Sequence, residues 1–332
     1  MLVMAIEAIT QISPGEDIVG CELKDVDVLR SLVIPSDSDK VSVEFRLKPV
    51  VDSSDKSNSW ADFCLYVIRN NDSFLEICKG SIKAVSVGPG RQQESHDAAS
   101  QKEVEHIRTL ISSAEQSFNS EIEPAKLYNT LSDSGHQYGP LFQGFQRARR
   151  HNDGRAVGNV MVSSPPSNSA SGTRPSAIHP CDLDCVLQLG LPAVVRDTSS
   201  SGNQELWVPT YVSKLWVPAT GFQRQHSQVQ TYASTQTRSI RLCETTIQAI
   251  PQDLDKATST SILTISGAEL TLISSTSLSS SQSNPPSHLS DRLSYNLVHL
   301  PDHTSMTAPQ AMEYIHSHTT PSLQAQRLSS AL

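Results

Sequence analysis

Asp184 and Gln188 stand four residues apart in the run Ile178-His179-Pro180-Cys181-Asp182-Leu183-Asp184-Cys185-Val186-Leu187-Gln188. On a helix that spacing places a carboxyl group and a primary amide one turn apart on the same face. A carboxylic acid can donate a proton at neutral pH only if burial raises its pKa, because desolvation disfavours the charged form. Leu183, Val186 and Leu187 around Asp184 fit that condition. On spacing alone, Asp184 also reads as a helix N-terminal carboxylate held by the macrodipole. Asp182 is expected to be a solvated first-turn carboxylate.

The same run contains His179, Cys181 and Cys185, which could suggest a metal site. Zinc ligands prefer other spacings and need a fourth ligand, while isolated cysteines are common small core residues. No metal is expected. His136 is the other histidine near this chemistry in sequence, and no role as a base is expected of it.

The element that must position these groups is a short helix. Pro180 suits its first position, where the missing N–H would have been unpaired. Cys181 lies one turn before Asp184 on the same face. Leu183, Leu187 and Gly190 turn towards a core, and Pro192 is expected to end or kink the helix. The outcome is an apolar back and an acidic front.

Upstream stands a second block, Tyr138-Gly139-Pro140-Leu141-Phe142-Gln143-Gly144. Together the two blocks resemble the YGPxFQG and HPxxLDxxxQ motifs of the dehydratase domain of fungal highly reducing type I polyketide synthases. Further likeness surrounds them. Met1 to Gln11 resembles the helix that follows the family's HxxxGxxxxPGAGY signature, and Glu22 to Val26 the start of its next strand. Cys78 to Ile82 resembles a family turn, Val208-Pro209-Thr210 a later strand, and Arg292 to Asp302 the exit segment. The resemblance spans residues 1–303.

The resemblance implies an α+β double hotdog, in which two tandem antiparallel sheets each wrap around a central helix. It implies loss of water from a 3-hydroxyacyl thioester on an acyl carrier protein, giving the 2,3-enoyl thioester. Asp184 would be the proton donor, with Gln188 orienting it. Tyr138, Gly139, Pro140, Phe142, His179, Pro180 and Leu183 would line the substrate site, Phe142 as a wall and His179 as a helix-start residue bonded to backbone. No cofactor is implied beyond the phosphopantetheine arm of the carrier. The implied partners are that carrier protein, other synthase domains and a second copy in a homodimer. The family's general base is the His of HxxxGxxxxP, which the sequence does not contain. The expectation is an N-terminally truncated domain, inactive or nearly so alone, with an exposed sheet edge. The alternatives are a non-catalytic acyl-binding or dimerisation remnant and a product-template-like cyclase domain, against which the YGPxFQG block speaks.

Bulk properties narrow the class. A chain of 332 residues can bury a substantial core, and 37% hydrophobic with 18% charged residues is globular but polar enough for sizeable loops. A net charge of −8 argues against nucleic acid or an anionic membrane as partner. Arg147, Arg149 and Arg150 offer a basic patch for an acidic carrier, or else a solvated charge run. Six scattered cysteines read as reduced thiols in the cytoplasm. No signal peptide and no membrane helix is expected, since no run reaches about eighteen apolar residues.

The remaining elements follow from periodicity. Leu2, Ala5, Ile6 and Ile9 share one face of a helix over 2–12. Val41, Val43, Phe45 and Leu47, then Leu65 and Val67, then Ile82 and Ala84 alternate as strands. A helix near 101–117 and another over Pro124 to Ser132 follow, then strands at 155–162, 206–217, 228–235, 239–250 and 261–273. The expected organisation is an N-terminal hotdog over 1–87, a linker over 88–121, a C-terminal hotdog over 122–275 and a Ser/Pro-rich linker and tail over 276–332.

Overall fold

Apolar residues spaced three and four apart make Leu2–Ile12 an amphipathic helix, α1, which buries Ala5, Ile6 and Ile9. From there, alternating side chains build strands β1 (Ile18–Val28), β2 (Val43–Pro49), β3 (Ala61–Arg69) and β4 (Ser73–Ser86). Helix α2 (Gln93–Ser117), strand β5 (Ser120–Ile122) and helix α3 (Pro124–Asp133) lead into β6 (Phe145–Arg150) and β7 (Arg155–Met161). Helices α4 (Pro180–Leu187) and α5 (Leu191–Val194) precede β8 (Glu205–Pro218), β9 (Gln228–Ser239), β10 (Leu242–Pro251) and β11 (Leu263–Ser274). This computed structural model describes residues 1–13, 18–32, 34, 41–50, 59–69, 73–86, 93–118, 120–162, 178–194, 205–219, 228–252 and 262–274. The exit segment Arg292 to Asp302 and the tail over 276–332 lie outside the described residues.

The strands form one antiparallel sheet of eleven, in the order β2-β3-β4-β1-β8-β11-β10-β9-β7-β6-β5. The seam between the two halves of the chain is the β1–β8 ladder, with Cys21 opposite Val217, Leu23 opposite Leu215 and Val26 opposite Val212. Those residues point to the core and are buried. Their neighbours Glu22, Lys24 and Lys214 point outward, where Glu22 pairs with both Lys83 and Lys214. The edges among the described strands are β2 and β5.

One hydrophobic core runs through both halves. It joins Ile6 of α1 and Leu23 of β1 to Leu183, Val186 and Leu189 around α4, and to Leu215, Ile247 and Leu263 of the later strands. A second cluster forms where Val104, Ile107, Ile111, Ala114 and Phe118 of the α2 region meet Val157, Tyr232, Ile250 and Ile262. The stretch between the halves therefore does more than connect them. Its helix covers one face of the sheet.

Several local expectations need correction. Cys78 to Ile82 is not a turn: it lies inside β4, paired to β1 and β3. Cys78, Ile82 and Ala84 share one face at period two and are buried, which is the physical reason. Strands β5 and β6 were not foreseen, because the arginines of Phe145–Arg150 read as a charge run. In β6 they pair instead: Arg147 and Arg149 both reach Glu121 of β5, and Arg150 Nη1 donates to the Pro192 carbonyl. With Glu115 also 4.0 Å from Arg147, two carboxylates face these two arginines and weaken them as a basic docking patch. No helix of the described residues is long and apolar enough to cross a membrane.

Candidate active site

The site is assembled by α4 and by the two turns that follow α3. At the C-terminus of α3, Gly135 takes a left-handed φ of +100°. Its N–H donates to the Ser132 carbonyl, and the His136 N–H reaches back to the Leu131 carbonyl. This double bond pattern is a Schellman cap, which needs a residue free of the Cβ penalty at Gly135. It stops α3 and sends the chain into Tyr138. Pro140 then opens a single 3-10 turn, Pro140–Phe142, closed by Phe142 N–H to Gly139 carbonyl at 2.9 Å. Gln143 Nε2 donates to the Tyr138 carbonyl at 2.7 Å and braces the turn from outside.

Helix α4 begins as its sequence dictates. His179 is the N-cap, Pro180 is the first helical residue, and His179 Nδ1 accepts from the Cys181 N–H at 3.3 Å. Asp182 falls in the first turn, but it is only 3% exposed, so the expectation of a solvated carboxylate is wrong. The face carrying Cys181, Asp182, Leu183, Cys185 and Val186 is wrapped by protein, leaving Asp184 half-buried. The helix tightens to a 3-10 turn over Gln188–Gly190 before α5. Pro192 therefore sits inside the first turn of α5, where a proline is tolerated, rather than ending α4.

Asp184 and Gln188 meet as their spacing demands. Gln188 Nε2 donates to Asp184 Oδ2 at 2.8 Å and to the Phe142 carbonyl at 3.0 Å. Gln188 itself is 2% exposed, so every polar atom of its amide needs a partner. Its Oε1 finds one in Tyr128 of α3, whose hydroxyl donates across 3.2 Å. The Tyr128 oxygen in turn accepts the Phe145 N–H at 3.2 Å. Phe142 is half-buried, and its role here runs through its carbonyl, which also accepts the Cys185 thiol at 3.4 Å.

Burial shapes the electrostatics. Desolvation pushes the Asp184 carboxyl above its ordinary pKa, and the Gln188 hydrogen bond pulls part of that shift back. Burial likewise raises Tyr128 and Tyr138, with the nearby Asp184 charge adding to both. The Cys185 thiol is pushed up to about 12 by burial, so it stays neutral. Tyr138 packs edge-on against Tyr128, with ring centroids 6.2 Å apart. His136 also stacks on Tyr138, with ring centroids 5.9 Å apart and rings nearly parallel. Burial holds the His136 imidazole below its ordinary pKa, and its Nε2 has no hydrogen-bond partner among the described residues.

The structure thus brings together Asp184, Gln188, Tyr138 and Phe142, with His179, Pro180 and Leu183 in the helix and cap that carry Asp184. Gly139 and Pro140 are exposed on the turn. Among the described residues no group of three or more His, Cys, Asp or Glu is placed to hold a metal ion. Sequence reading missed Tyr128. Its signal was the Leu127, Tyr128, Leu131 face of α3, since a phenol on a buried face must find a partner for its hydroxyl. Gly144 was also missed as a contact: a Cβ there would stand 2.8 Å from Cys185 Sγ, so glycine lets the turn close on α4.

A family model described as "Polyketide synthase dehydratase N-terminal domain" matches residues 109–280, just over half of the chain, including both motif blocks and all of the site. The chain belongs to the polyketide synthase dehydratase family. Among its relatives, a reducing polyketide synthase, PKS1, of Cochliobolus heterostrophus is 25% identical over 96% of this chain and 12% of its own length. The highly reducing polyketide synthase NEC1 of Pyricularia oryzae is 30% identical over 66% of this chain and 8% of its own. The chain therefore spans about a tenth of the length of these curated relatives. Among solved structures, the dehydratase domain from the CurF module of curacin polyketide synthase matches with a TM-score of 0.54 at 17% identity, covering 82% of each chain. The dehydratase domain of RzxB from Pseudomonas fluorescens matches with a TM-score of 0.57 at 12% identity, covering 81% of this chain and 83% of that one. These structural likenesses establish the α+β hotdog fold, and the named sequence relatives are fungal reducing polyketide synthases.

Proposed function

We propose that this chain provides the acid half of a dehydration carried out on a 3-hydroxyacyl thioester. The observation that carries the reading is the Asp184 carboxyl, half-buried, shifted upward by desolvation and held by the Gln188 amide. A base takes a C2 proton while Asp184 gives its proton to the C3 hydroxyl. The C3–O bond breaks, water leaves, and the electron pair of the C2–H bond becomes the C2–C3 double bond. Hydroxide is a poor leaving group, so the acid is as necessary as the base. Both transfers need only side chains, so the proposal includes no cofactor. The substrate arrives on the phosphopantetheine arm of an acyl carrier protein, with neighbouring synthase domains and a second copy of the chain as further partners.

The base is not assigned within this sequence. None of its eleven histidines begins an HxxxG pattern. A positioned general base contributes about 10²–10⁴ in rate, so the chain by itself is expected to turn over slowly or not at all. The test supplies the base from solution. The full chain is incubated with a 3-hydroxyacyl pantetheine thioester with and without imidazole, and enoyl product is followed. The expected result is slow, imidazole-dependent enoyl formation that Asp184→Asn abolishes. Rapid formation without imidazole would show that the chain already has its base. Equal rates with and without Asp184 would refute the acid assignment. Thioester binding by calorimetry with no turnover under any condition would favour a non-catalytic acyl-binding domain instead.

A further inference from the structure

The Gln188 amide is pinned from both ends by backbone groups whose polarity is not negotiable. At one end the Phe142 carbonyl can only accept, so the atom of Gln188 lying 3.0 Å from it must be the NH2. At the other end the Phe145 N–H can only donate, so the Tyr128 oxygen 3.2 Å away must accept it. The buried hydroxyl still needs an acceptor for its own proton, and the other atom of the amide, 3.2 Å away, can take it only as the oxygen. Both ends give the same answer, although neither involves Asp184. The second N–H of Gln188 is left to donate to Asp184 Oδ2.

We propose that Tyr128 is a positioning residue that fixes the sense of the Gln188 amide and thereby directs the acidic proton of Asp184 to Oδ1. An oxygen that receives an N–H is the better acceptor and the poorer site for the proton, so the protonated carboxyl presents Oδ1–H to its surroundings. This deepens the dehydration reading and rests on it only for the identity of the group that Oδ1–H serves. The hydrogen-bond sense stands without it. It also ties the two sequence blocks together: Phe142 lies in the first block and Phe145 just after it, and the amide they orient belongs to the second.

The groups facing Asp184 are Tyr128 from α3, Tyr138 from the turn that follows, and Cys181 and Cys185 from α4 itself. Phenols and thiols remain neutral while a carboxyl titrates, so Tyr128→Phe removes a dipole and no charge. In that variant the freed Gln188 Oε1 and the freed Phe145 N–H approach each other across the space the hydroxyl left. That movement draws Nε2 away from Oδ2.

The experiment is a carboxyl-carbon NMR titration of the full chain labelled at aspartate, with Asp184 identified by its loss in Asp184→Asn and neighbouring Asp182 by Asp182→Asn. The Asp184 midpoint is expected to rise by about half to one pH unit in Tyr128→Phe, because the charged form loses a donor. In the unaltered chain the Gln188 side-chain amide protons are expected to shift with the Asp184 midpoint and to exchange slowly with water. An unchanged midpoint in a folded Tyr128→Phe chain overturns the proposal. If that variant does not fold, the unaltered chain decides: Gln188 amide protons that ignore the Asp184 titration mean that the oxygen faces the carboxyl. None of these signals requires turnover. A chain that shows them but never forms enoyl would cost the dehydration reading alone.

Discussion

Replacing Gln188 with Leu deletes three hydrogen bonds at a position 2% exposed, and their fates differ. The Phe142 carbonyl keeps the Cys185 thiol as a donor, so its loss is small. The Tyr128 hydroxyl keeps the Phe145 N–H but has nowhere to send its own proton, which costs about 1–3 kcal/mol in a buried setting. Asp184 loses the N–H it accepts. That bond is worth about 1.5–3 kcal/mol to an ionised carboxylate but only about 0.5–1.5 kcal/mol to a neutral one. The added apolar burial of leucine offsets part of the total, leaving a net loss of about 2–4 kcal/mol at neutral pH. The sign of the pH dependence follows from linkage. Burial already raises the folded pKa of Asp184 above its unfolded value, so the folded state binds the extra proton between the two. Stability tied to this group is greatest below the unfolded pKa and declines as pH rises through the folded one. Gln188→Leu raises the folded value further, so its destabilisation should be larger, by about 1 kcal/mol, near pH 8 than near pH 4. Urea unfolding followed by tryptophan fluorescence at the two pH values measures this directly. A loss of equal size at both, or one larger in acid, would refute the claim that the amide supports the charged carboxyl.

Two further outcomes test packing, one beside the site and one under α2. Gly144→Ala should cost about 1–3 kcal/mol by forcing Cys185 aside, and Cys185→Ala in the same chain should recover most of it; a double-mutant cycle by thermal unfolding would show additivity if the contact is irrelevant. Ile107→Ala, at a residue 0% exposed, should cost about 2–4 kcal/mol in urea if α2 is packed on the sheet, whereas a mere tether would leave stability unchanged.

Much of the site could be read from the chain because its chemistry is local. The Asp184–Gln188 contact follows from one helical turn, and Pro180 with His179 marks where that turn begins. What escaped notice depends on chain segments far apart in sequence. Tyr128 of α3 reaches Gln188 across sixty residues of chain, and nothing in a single helix shows that. Asp182 misled for a related reason, since a first-turn carboxylate reads as solvated until the elements that wrap it are known. The strands were legible where alternation was strong, as in Cys243, Thr245, Ile247 and Ala249. It failed at β6, where three arginines stand in positions that Glu121 and the Pro192 carbonyl satisfy from elsewhere. Residues 88–121 were read by composition as a connector, and composition does not reveal that every third or fourth residue from Val104 to Ala114 is buried.

The ladder between β1 and β8 has a consequence for how such a chain is born. Strand β1 holds β4 on one side, a partner made soon after it, but its other side waits for residues 211–218. As the polypeptide leaves the ribosome, the first four strands and α1 can assemble while one flank of β1 stays bare. Everything from α2 to α5 must be synthesised before β8 arrives to close it. An open strand flank during that interval is the kind of surface that recruits neighbours or chaperones, and the long sequence separation of this pairing slows the final step.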